Sequence, residues 1–314
     1  MKDIRIVFMG TPDFAVATLN ELITQKYNVV GVITAPDKPA GRGRKINQSA
    51  VKKYAVANGL PVLQPTNLKN EDFLASLKEL DANLQIIVAF RMLPKAVWNM
   101  PAFGTFNLHA SLLPAYRGAA PINWAIINGE TSTGVTTFFI DEKIDTGAII
   151  LQKEIKIAPN ETVGELHDRL MGIGCKLVCT TVKAIQEGTI STQAQPLEEE
   201  KPAPKLFPGN CKIDWTQPID TIYNLIRGLN PYPAAWSTLS QNSEETKVQF
   251  YQVEKELESH QLAVGSILTD KKTIKIAVYN GYIIVKELKI SGKRKMDAVS
   301  LLNGTKFEEN AMML

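Results

Sequence analysis

The order of apolar and polar positions changes character part-way along the chain. In the first half, short apolar runs alternate with segments whose apolar residues fall three and four apart. Ile4 to Met9 reads as a buried strand, and Phe14, Leu19, Leu22 and Ile23 line one face of a helix ending near Gln25. Asn28 to Thr34 reads as a second strand, and Ser49 stands where a helix through Ala57 needs its N-cap. Phe73 to Leu80 has helical spacing, Leu84 to Phe90 is a third apolar strand, and Gly104 to Leu108 another, before a helix near 122–127. Gly134 to Ile140 and Ile149 to Ile157 form a late strand pair, and Thr162 to Glu187 is a long amphipathic helix. This alternation predicts an α/β domain with a mostly parallel, helix-covered sheet.

Near residue 189 the pattern breaks. TQAQPLEEEKPAPKLFP (192–208) carries four prolines and three consecutive glutamates and reads as an extended linker. Beyond it a helix over 217–229 precedes short β-patterned segments at 248–253, 265–268, 274–279 and 282–290. Asn280-Gly281 is a strong hairpin signal between the last two. A small OB-like β-barrel fits these segments. The expected organisation is an α/β domain over 1–189, a linker over 190–208 and a barrel domain over 209–314.

Composition narrows the setting. At 314 residues, 45% hydrophobic and 21% charged, the chain reads as an ordinary soluble protein. No apolar run reaches the roughly 18 residues of a membrane span, and MKDIRIVFMG enters a strand without a signal peptide's apolar core. Three cysteines without a CxxC pair are expected to be reduced thiols and imply no metal site. These features predict a cytoplasmic protein without membrane attachment, and a monomer is the default expectation.

Net charge is only +3, so its distribution matters more than its total. Between Lys271 and Lys295 there are eight Lys or Arg against Glu287 alone. The stretch from Pro36 to Asn47, read as an irregular protruding loop, holds Lys38, Arg42, Arg44 and Lys45 against Asp37. Such clusters raise the local potential even when the total is near neutral.

The candidate chemistry lies in NLHASLLPAYRGAAP (107–121). Strand alternation sends Asn107 and His109 to one side and Leu108 to the other. In open α/β sheets, ligands bind beyond the carboxyl ends of the strands. An asparagine amide can donate to a developing oxyanion, and a histidine can donate or shuttle a proton. The histidine needs an orienting partner. The loop DEKIDTG offers Asp141, Glu142 and Asp145, with Asp145 favoured by the tight Thr146-Gly147 turn. Acyl transfer is the chemistry suggested, without a covalent acyl-enzyme, because neither Ser111 nor a cysteine has an evident base beside it. Taken alone, the Asn-x-His pair reads more readily as structural hydrogen bonding than as function. The first βα turn, Gly10-Thr11-Pro12-Asp13, lacks the G-x-G-x-x-G phosphate fingerprint, which argues against a dinucleotide. His167, His260, the cysteines and the tryptophans read as packing residues.

NLHASLLPAYRGAAP resembles the signature of the folate-dependent formyltransferase family. VFMGTPDFA is similar to that family's first strand and turn, and DEKIDTGAII to its Asp-Thr-Gly loop. APDKPAGRGRK (35–45), CKIDW (211–215) and IRGLNPYPAAW (226–236) resemble the branch of the family that formylates methionyl-tRNA. The resemblance implies a Rossmann-like formyltransferase domain and an OB-like barrel. It implies transfer of a formyl group from 10-formyltetrahydrofolate, with no metal, to the α-amine of initiator methionyl-tRNA. It places catalysis on Asn107, His109 and Asp145. Folate contacts fall on Phe90, Arg91, Met92, Ser111, Leu112, Leu113, Pro114 and Asp141. Contacts to tRNA fall on Lys38, Arg42, Arg44 and Lys45, Arg42 central, and on Lys293, Arg294 and Lys295. One departure stands out: AFRMLPK, residues 89–95, replaces the family's usual Ala-Tyr-Gly sequence and is one residue shorter. A formyltransferase acting on a small amine, such as glycinamide ribonucleotide or an amino sugar, would share the three catalytic positions without needing the basic loop or barrel. A tRNA-binding protein without catalysis and a formylfolate hydrolase are further readings.

Overall fold

The computed structural model describes residues 3–40, 45–196 and 201–314. Its first apolar runs become β1 (Arg5–Gly10), α1 (Asp13–Thr24) and β2 (Asn28–Ile33). A ribbon follows, β3 (Lys38–Ala40) and β4 (Lys45–Asn47), then α2 (Ala50–Ala57), whose N-cap Ser49 accepts from the Lys52 amide at 3.0 Å. Next come β5 (Val62–Leu63), α3 (Glu71–Glu79), β6 (Leu84–Val88), α4 (Lys95–Trp98) and β7 (Thr105–His109). After α5 (Pro121–Ile127) come β8 (Ser132–Phe139), β9 (Ile149–Lys156) and α6 (Val163–Glu187).

These strands form one sheet in the order β5-β2-β1-β6-β7-β8-β9. Pairing is parallel from β5 through β7 and antiparallel between β7 and β8. Strands β1 and β6 are almost wholly buried and, apart from Arg5 and Gln85, apolar, as central strands of a parallel sheet are. The chain grows outward from β1 to β2 and β5, then returns to β6 on the other side of β1. Strand order therefore reverses at β1, and the carboxyl ends of β1, β6 and β7 share the edge where α/β sheets bind ligands.

The remaining elements are a 3-10 turn at Pro208–Cys211, α7 (Ile219–Gly228), β10 (Ala235–Gln241), β11 (Glu244–Leu257), β12 (Ile267–Thr269) and β13 (Ile274–Val278). They end with β14 (Gly281–Ile290), β15 (Met296–Asp297), α8 (Ala298–Leu302) and β16 (Met312–Met313). The sheet order is β12-β13-β14-β11-β10-β16, with β15 beside β14. A bridge between Ser266 and Met312 brings its two ends together, so the sheet is a nearly closed barrel. Register shifts between Phe250 and Val253 bend β11, as closure requires. Asn280, at φ 59°, makes the tight turn joining β13 to β14. Trp215 anchors the core edge-on to Phe250, its indole N–H donating to Ser237 Oγ at 2.9 Å.

By contacts the chain divides into two compact units. One comprises 1–118, 134–155 and 168–202, the other 119–133, 156–167 and 203–314. This division interleaves segments that a boundary drawn along the sequence at 189–209 keeps apart. Within the second unit, α5 lies against α7 because Gly228 has no side chain: a Cβ there would stand 2.7 Å from Ile127 Cγ1. Arg227, nearly buried, donates to the Glu161 carbonyl at 3.0 Å, and burial lowers its guanidinium's proton affinity.

Two expectations need correction. The stretch 36–47 is not wholly irregular, because Lys38–Ala40 pairs antiparallel with Lys45–Asn47. The proline-rich 190–208 segment is not a free spacer. In the first unit Gln193 bridges Ile149, and the Lys201 carbonyl accepts from the Tyr116 amide at 2.6 Å. In the second, Ala203 is fully buried and its carbonyl accepts from Ala119 at 2.7 Å. Prolines lack an N–H donor but keep a carbonyl, and two of these also accept: that of Pro196 from Arg117 and that of Pro204 from the Trp124 indole.

Candidate active site

Asn107 and His109 end β7, paired in register with Ile87 of β6 and with Phe138 and Thr136 of β8. Sheet pairing on both sides fixes their backbone, so the pleat alone sets both side chains on one face. His109 is 6% exposed and stands edge-on to Phe138. Its Nε2 lies 2.8 Å from the Tyr116 carbonyl. A carbonyl only accepts, so Nε2 carries the proton. Nδ1 then faces Asp145 Oδ2 at 3.8 Å, beyond hydrogen-bond length but within ion-pair reach. Such contacts are often long before substrate binds.

Asp145 occupies the left-handed region at φ 55°, which aspartate tolerates better than most residues. Its Oδ2 accepts from the Gly118 amide at 3.0 Å. Gly147 cannot be anything larger, because a Cβ there would lie 1.6 Å from the Phe139 carbonyl oxygen. Of the other two carboxylates considered, Asp141 accepts from the Lys143 amide at 2.9 Å and Thr146 Oγ1 at 2.7 Å, shaping the same loop, and Glu142 accepts from Lys95 at 2.8 Å.

The loop after β7 is tied down by its own polar groups. Ser111 Oγ donates to the Ala115 carbonyl at 2.6 Å, and the Ser111 carbonyl accepts from Thr136 Oγ1 at 2.6 Å. Gln152 Nε2 donates to the Leu113 carbonyl at 2.9 Å. Leu113 is buried with Phe138 and Ile149. The side chains of Ser111 and Leu113 therefore hold the loop, while Leu112 and Pro114 are half-buried.

Among the described residues, two buried side-chain atoms lack a hydrogen-bond partner, Thr18 Oγ1 and, in this site, Asn107 Oδ1. Leaving a buried acceptor unpaired costs about 1–3 kcal/mol. The two ends of an amide interchange by rotation, so the same place can present an N–H donor. Turned in this way, the amide beside an oriented imidazole fits a carbonyl-bearing substrate whose oxygen accepts from it.

At the neighbouring strand end, Phe90 is half-buried while Arg91 and Met92 are exposed. Arg91 donates to the Pro65 and Thr66 carbonyls, the latter at 3.0 Å, and lies 5.6 Å over the Phe90 ring. Arg91 thus fastens the strand-end loop to the 65–66 segment, and partial burial lowers its proton affinity.

Of the basic positions, Lys38 is exposed on the ribbon after β2. Arg42 and Arg44 lie outside the described residues, as does the side chain of Lys45. At the ribbon's base, Asp37 accepts from Gln64 at 2.8 Å and pairs with Lys52, which lowers its carboxyl pKa. In the barrel, Lys295 is paired with Glu287 at 2.8 Å and Lys293 donates to Thr305 at 2.7 Å, whereas Arg294 is exposed in the turn between β14 and β15.

Comparison with known proteins decides the family. Residues 4–182 match the formyl transferase model and 205–306 the model of the formyl transferase C-terminal domain. The chain belongs to the formyltransferase family. It is 59% identical over 312 residues to a methionyl-tRNA formyltransferase of Flavobacterium johnsoniae, covering 99% of both chains. It is 54% identical to a methionyl-tRNA formyltransferase of Bacteroides thetaiotaomicron, again over 99% of each. A crystallised sugar 3-N-formyltransferase shares the fold at TM-score 0.64 and 20% identity, covering 94% of this chain and 100% of its own. HypX from Aquifex aeolicus, solved with tetrahydrofolic acid, aligns at TM-score 0.63 and 18% identity over 96% of this chain and 47% of its own.

Sequence reasoning missed several groups in this formyltransferase site: the Tyr116 carbonyl, the Gly118 amide, Arg117 and Gln195. Gln195 Nε2 donates to the Asp145 carbonyl at 3.0 Å and the Gly147 carbonyl at 2.7 Å. Arg117 is 5% exposed and donates to Gln195 Oε1 at 2.8 Å. Arg117 was visible within the quoted YRG run; Gln195 carried no signal beyond the segment read as a linker.

Proposed function

We propose that this chain transfers the formyl group of 10-formyltetrahydrofolate to the α-amine of methionine esterified to initiator tRNA. The observation that carries the reading is the unpaired Asn107 amide beside the His109–Asp145 pair, in a chain 59% identical end to end to a methionyl-tRNA formyltransferase. The neutral amine attacks the formyl carbon directly. The carbonyl electron pair moves to oxygen, where Asn107, its amide turned to present N–H, and His109 stabilise the charge. Asp145 orients His109 and helps manage the proton leaving the amine. Collapse breaks the bond from carbon to the folate nitrogen, which receives a proton. The fit of the folate donor rests on Asn107: its orphan amide end needs a polar partner, which the formyl oxygen provides.

Folate contacts are assigned to the strand-end and loop segments 90–92 and 111–114 and to Asp141. The tRNA contacts are assigned to the ribbon cations Lys38, Arg42, Arg44 and Lys45 and to Lys293, Arg294 and Lys295 of the barrel. The ribbon follows the carboxyl end of β2, on the same sheet edge as Asn107. Arginines suit phosphates and unpaired bases. The protein acts as a cytoplasmic monomer; among the described residues no helix is long and apolar enough to cross a membrane.

Incubation with 10-formyltetrahydrofolate and charged initiator tRNA, beside elongator methionyl-tRNA and glycinamide ribonucleotide, tests the assignment. Formylation of the initiator species alone is expected. Equal transfer to the small amine would overturn it.

A further inference from the structure

Tyr116, Arg117 and Gly118 address the site with three different groups. The Tyr116 carbonyl accepts from His109 Nε2 at 2.8 Å, and the Gly118 amide donates to Asp145 Oδ2 at 3.0 Å. Between them, the Arg117 guanidinium points at neither residue. Its Nε and NH2 donate to Gln195 Oε1 at 3.3 and 2.8 Å, and NH2 donates also to the Pro196 carbonyl at 2.9 Å. Gln195 is thereby turned so that its Nε2 meets the carbonyls of Asp145 and Gly147.

These two carbonyls flank the sharpest part of the Asp145 loop. Asp145 sits at φ 55°, and Gly147 is pressed against the Phe139 carbonyl. A non-glycine residue in the left-handed region persists when its surroundings over-determine it. An amide bridging two carbonyls, itself locked by a nearly buried arginine, supplies that determination. Its direction matters because the Asp145 carboxylate stands 3.8 Å from His109 Nδ1, where a small rotation of the loop would open or close the pair.

We propose that Gln195, oriented by Arg117, is a positioning residue for formyl transfer: it sets the backbone of Asp145 so that the carboxylate faces His109. This rests on the role given to Asp145 above. Gln195 touches no reacting atom and acts through Asp145 alone. Misplacing a catalytic group by about 1 Å can cost on the order of a hundredfold in rate.

The test compares Gln195→Ala, Asp145→Asn and the double variant in single-turnover formylation of charged initiator tRNA. Asparagine tolerates the left-handed backbone, so Asp145→Asn removes charge without forcing a new loop conformation. Gln195→Ala is expected to lower the rate about 10-fold to 100-fold, with KM for 10-formyltetrahydrofolate within about twofold of wild type. The double variant is expected to be no slower than Asp145→Asn, within about twofold, because the clamp then has no carboxylate to aim. Losses that multiply would overturn the proposal, since Gln195 would then act elsewhere. So would a wild-type rate in Gln195→Ala. Gln195→Glu keeps the size and the Arg117 contact but turns a carboxylate oxygen toward the two carbonyls. It should be at least as impaired as Gln195→Ala, and a fully active Gln195→Glu would also overturn the proposal. A wild-type rate in Asp145→Asn would instead remove the assignment on which the proposal stands, and it is read without Gln195.

Discussion

At the carboxyl end of β7, polar groups are buried and meet partners that cannot move far: the Tyr116 carbonyl, the Gly118 amide and the Gln195 side chain. Along the barrel strands, polar groups are exposed and meet each other. Lys275 pairs with Glu256 at 2.6 Å, Lys286 with Glu254 at 2.9 Å and Lys295 with Glu287 at 2.8 Å. The first arrangement concentrates direction, since its donors meet backbone carbonyls and side chains that are themselves held in place. The second spreads charge, and its members can exchange partners for water at small cost. The lysine-rich stretch 271–295 is therefore less basic as a surface than as a sequence, because several of its cations are answered by glutamates of β11 and β14.

The contrast predicts its largest effect at Asn107. Asn107→Ala removes the amide that lacks a protein partner and should reduce formyl transfer about 10²–10³-fold. The fold should be retained, because no side-chain hydrogen bond to Oδ1 is lost. Turnover and thermal unfolding measured on one preparation would separate the two. A wild-type rate would mean that the buried amide is structural, and the difference between the regions would shrink to one of exposure.

Gly147→Ala comes next. The new Cβ would overlap the Phe139 carbonyl, so the loop carrying Asp145 must move. The expected loss is about 10-fold to 100-fold in rate, with roughly 1–3 kcal/mol of stability lost to overpacking. If stability fell with the rate unchanged, Asp145 would not need its present placement.

How much of this could be read from the chain differs between the same regions. Buried parallel strands such as β1 and β6 show as dense apolar runs, with Gln85 the one polar residue inside β6, so the first sheet was legible. Asn107 and His109 were legible because a period of two fixes a shared face, and Asp145 because Thr-Gly marks its turn. The clamp was not. Gln195 sits in a stretch whose prolines and glutamates read as linker, and its partners include backbone carbonyls that leave no side-chain pattern. The full length of β11 was hidden for another reason: lysines and glutamates crowd its outer positions, and the shifts between Phe250 and Val253 break the alternation. Arg91 was visible as a departure, but its contacts with Pro65 and Thr66 depend on the fold bringing distant segments together.

In the barrel, the comparison sharpens what neutralising charges should do. Lys295 is already paired and Lys293 is engaged with Thr305, whereas Arg294 is exposed. Arg294→Ala is expected to weaken tRNA binding and to reduce the slope of log affinity against log salt by about 0.7–0.9, the value of one phosphate contact. Lys295→Ala should change the slope less. Equal changes at the two positions would show that the Glu287 pair opens when tRNA binds.

The smallest effect is expected at Lys286. Its side chain is 40% exposed and that of Glu254 is 60% exposed, so both ends of the pair are largely hydrated. Lys286→Met removes the charge while keeping an unbranched side chain of similar length on the strand. Water then replaces the ammonium beside Glu254, and the unfolding midpoint should move by no more than about 2 °C. A much larger fall would place the pair within a coupled charge network that helps specify β11 and β14. The barrel would then depend on polar direction as the end of β7 does. A change confined to the expected range would leave its closure to the apolar core around Phe250 and to the backbone bridge at Ser266 and Met312.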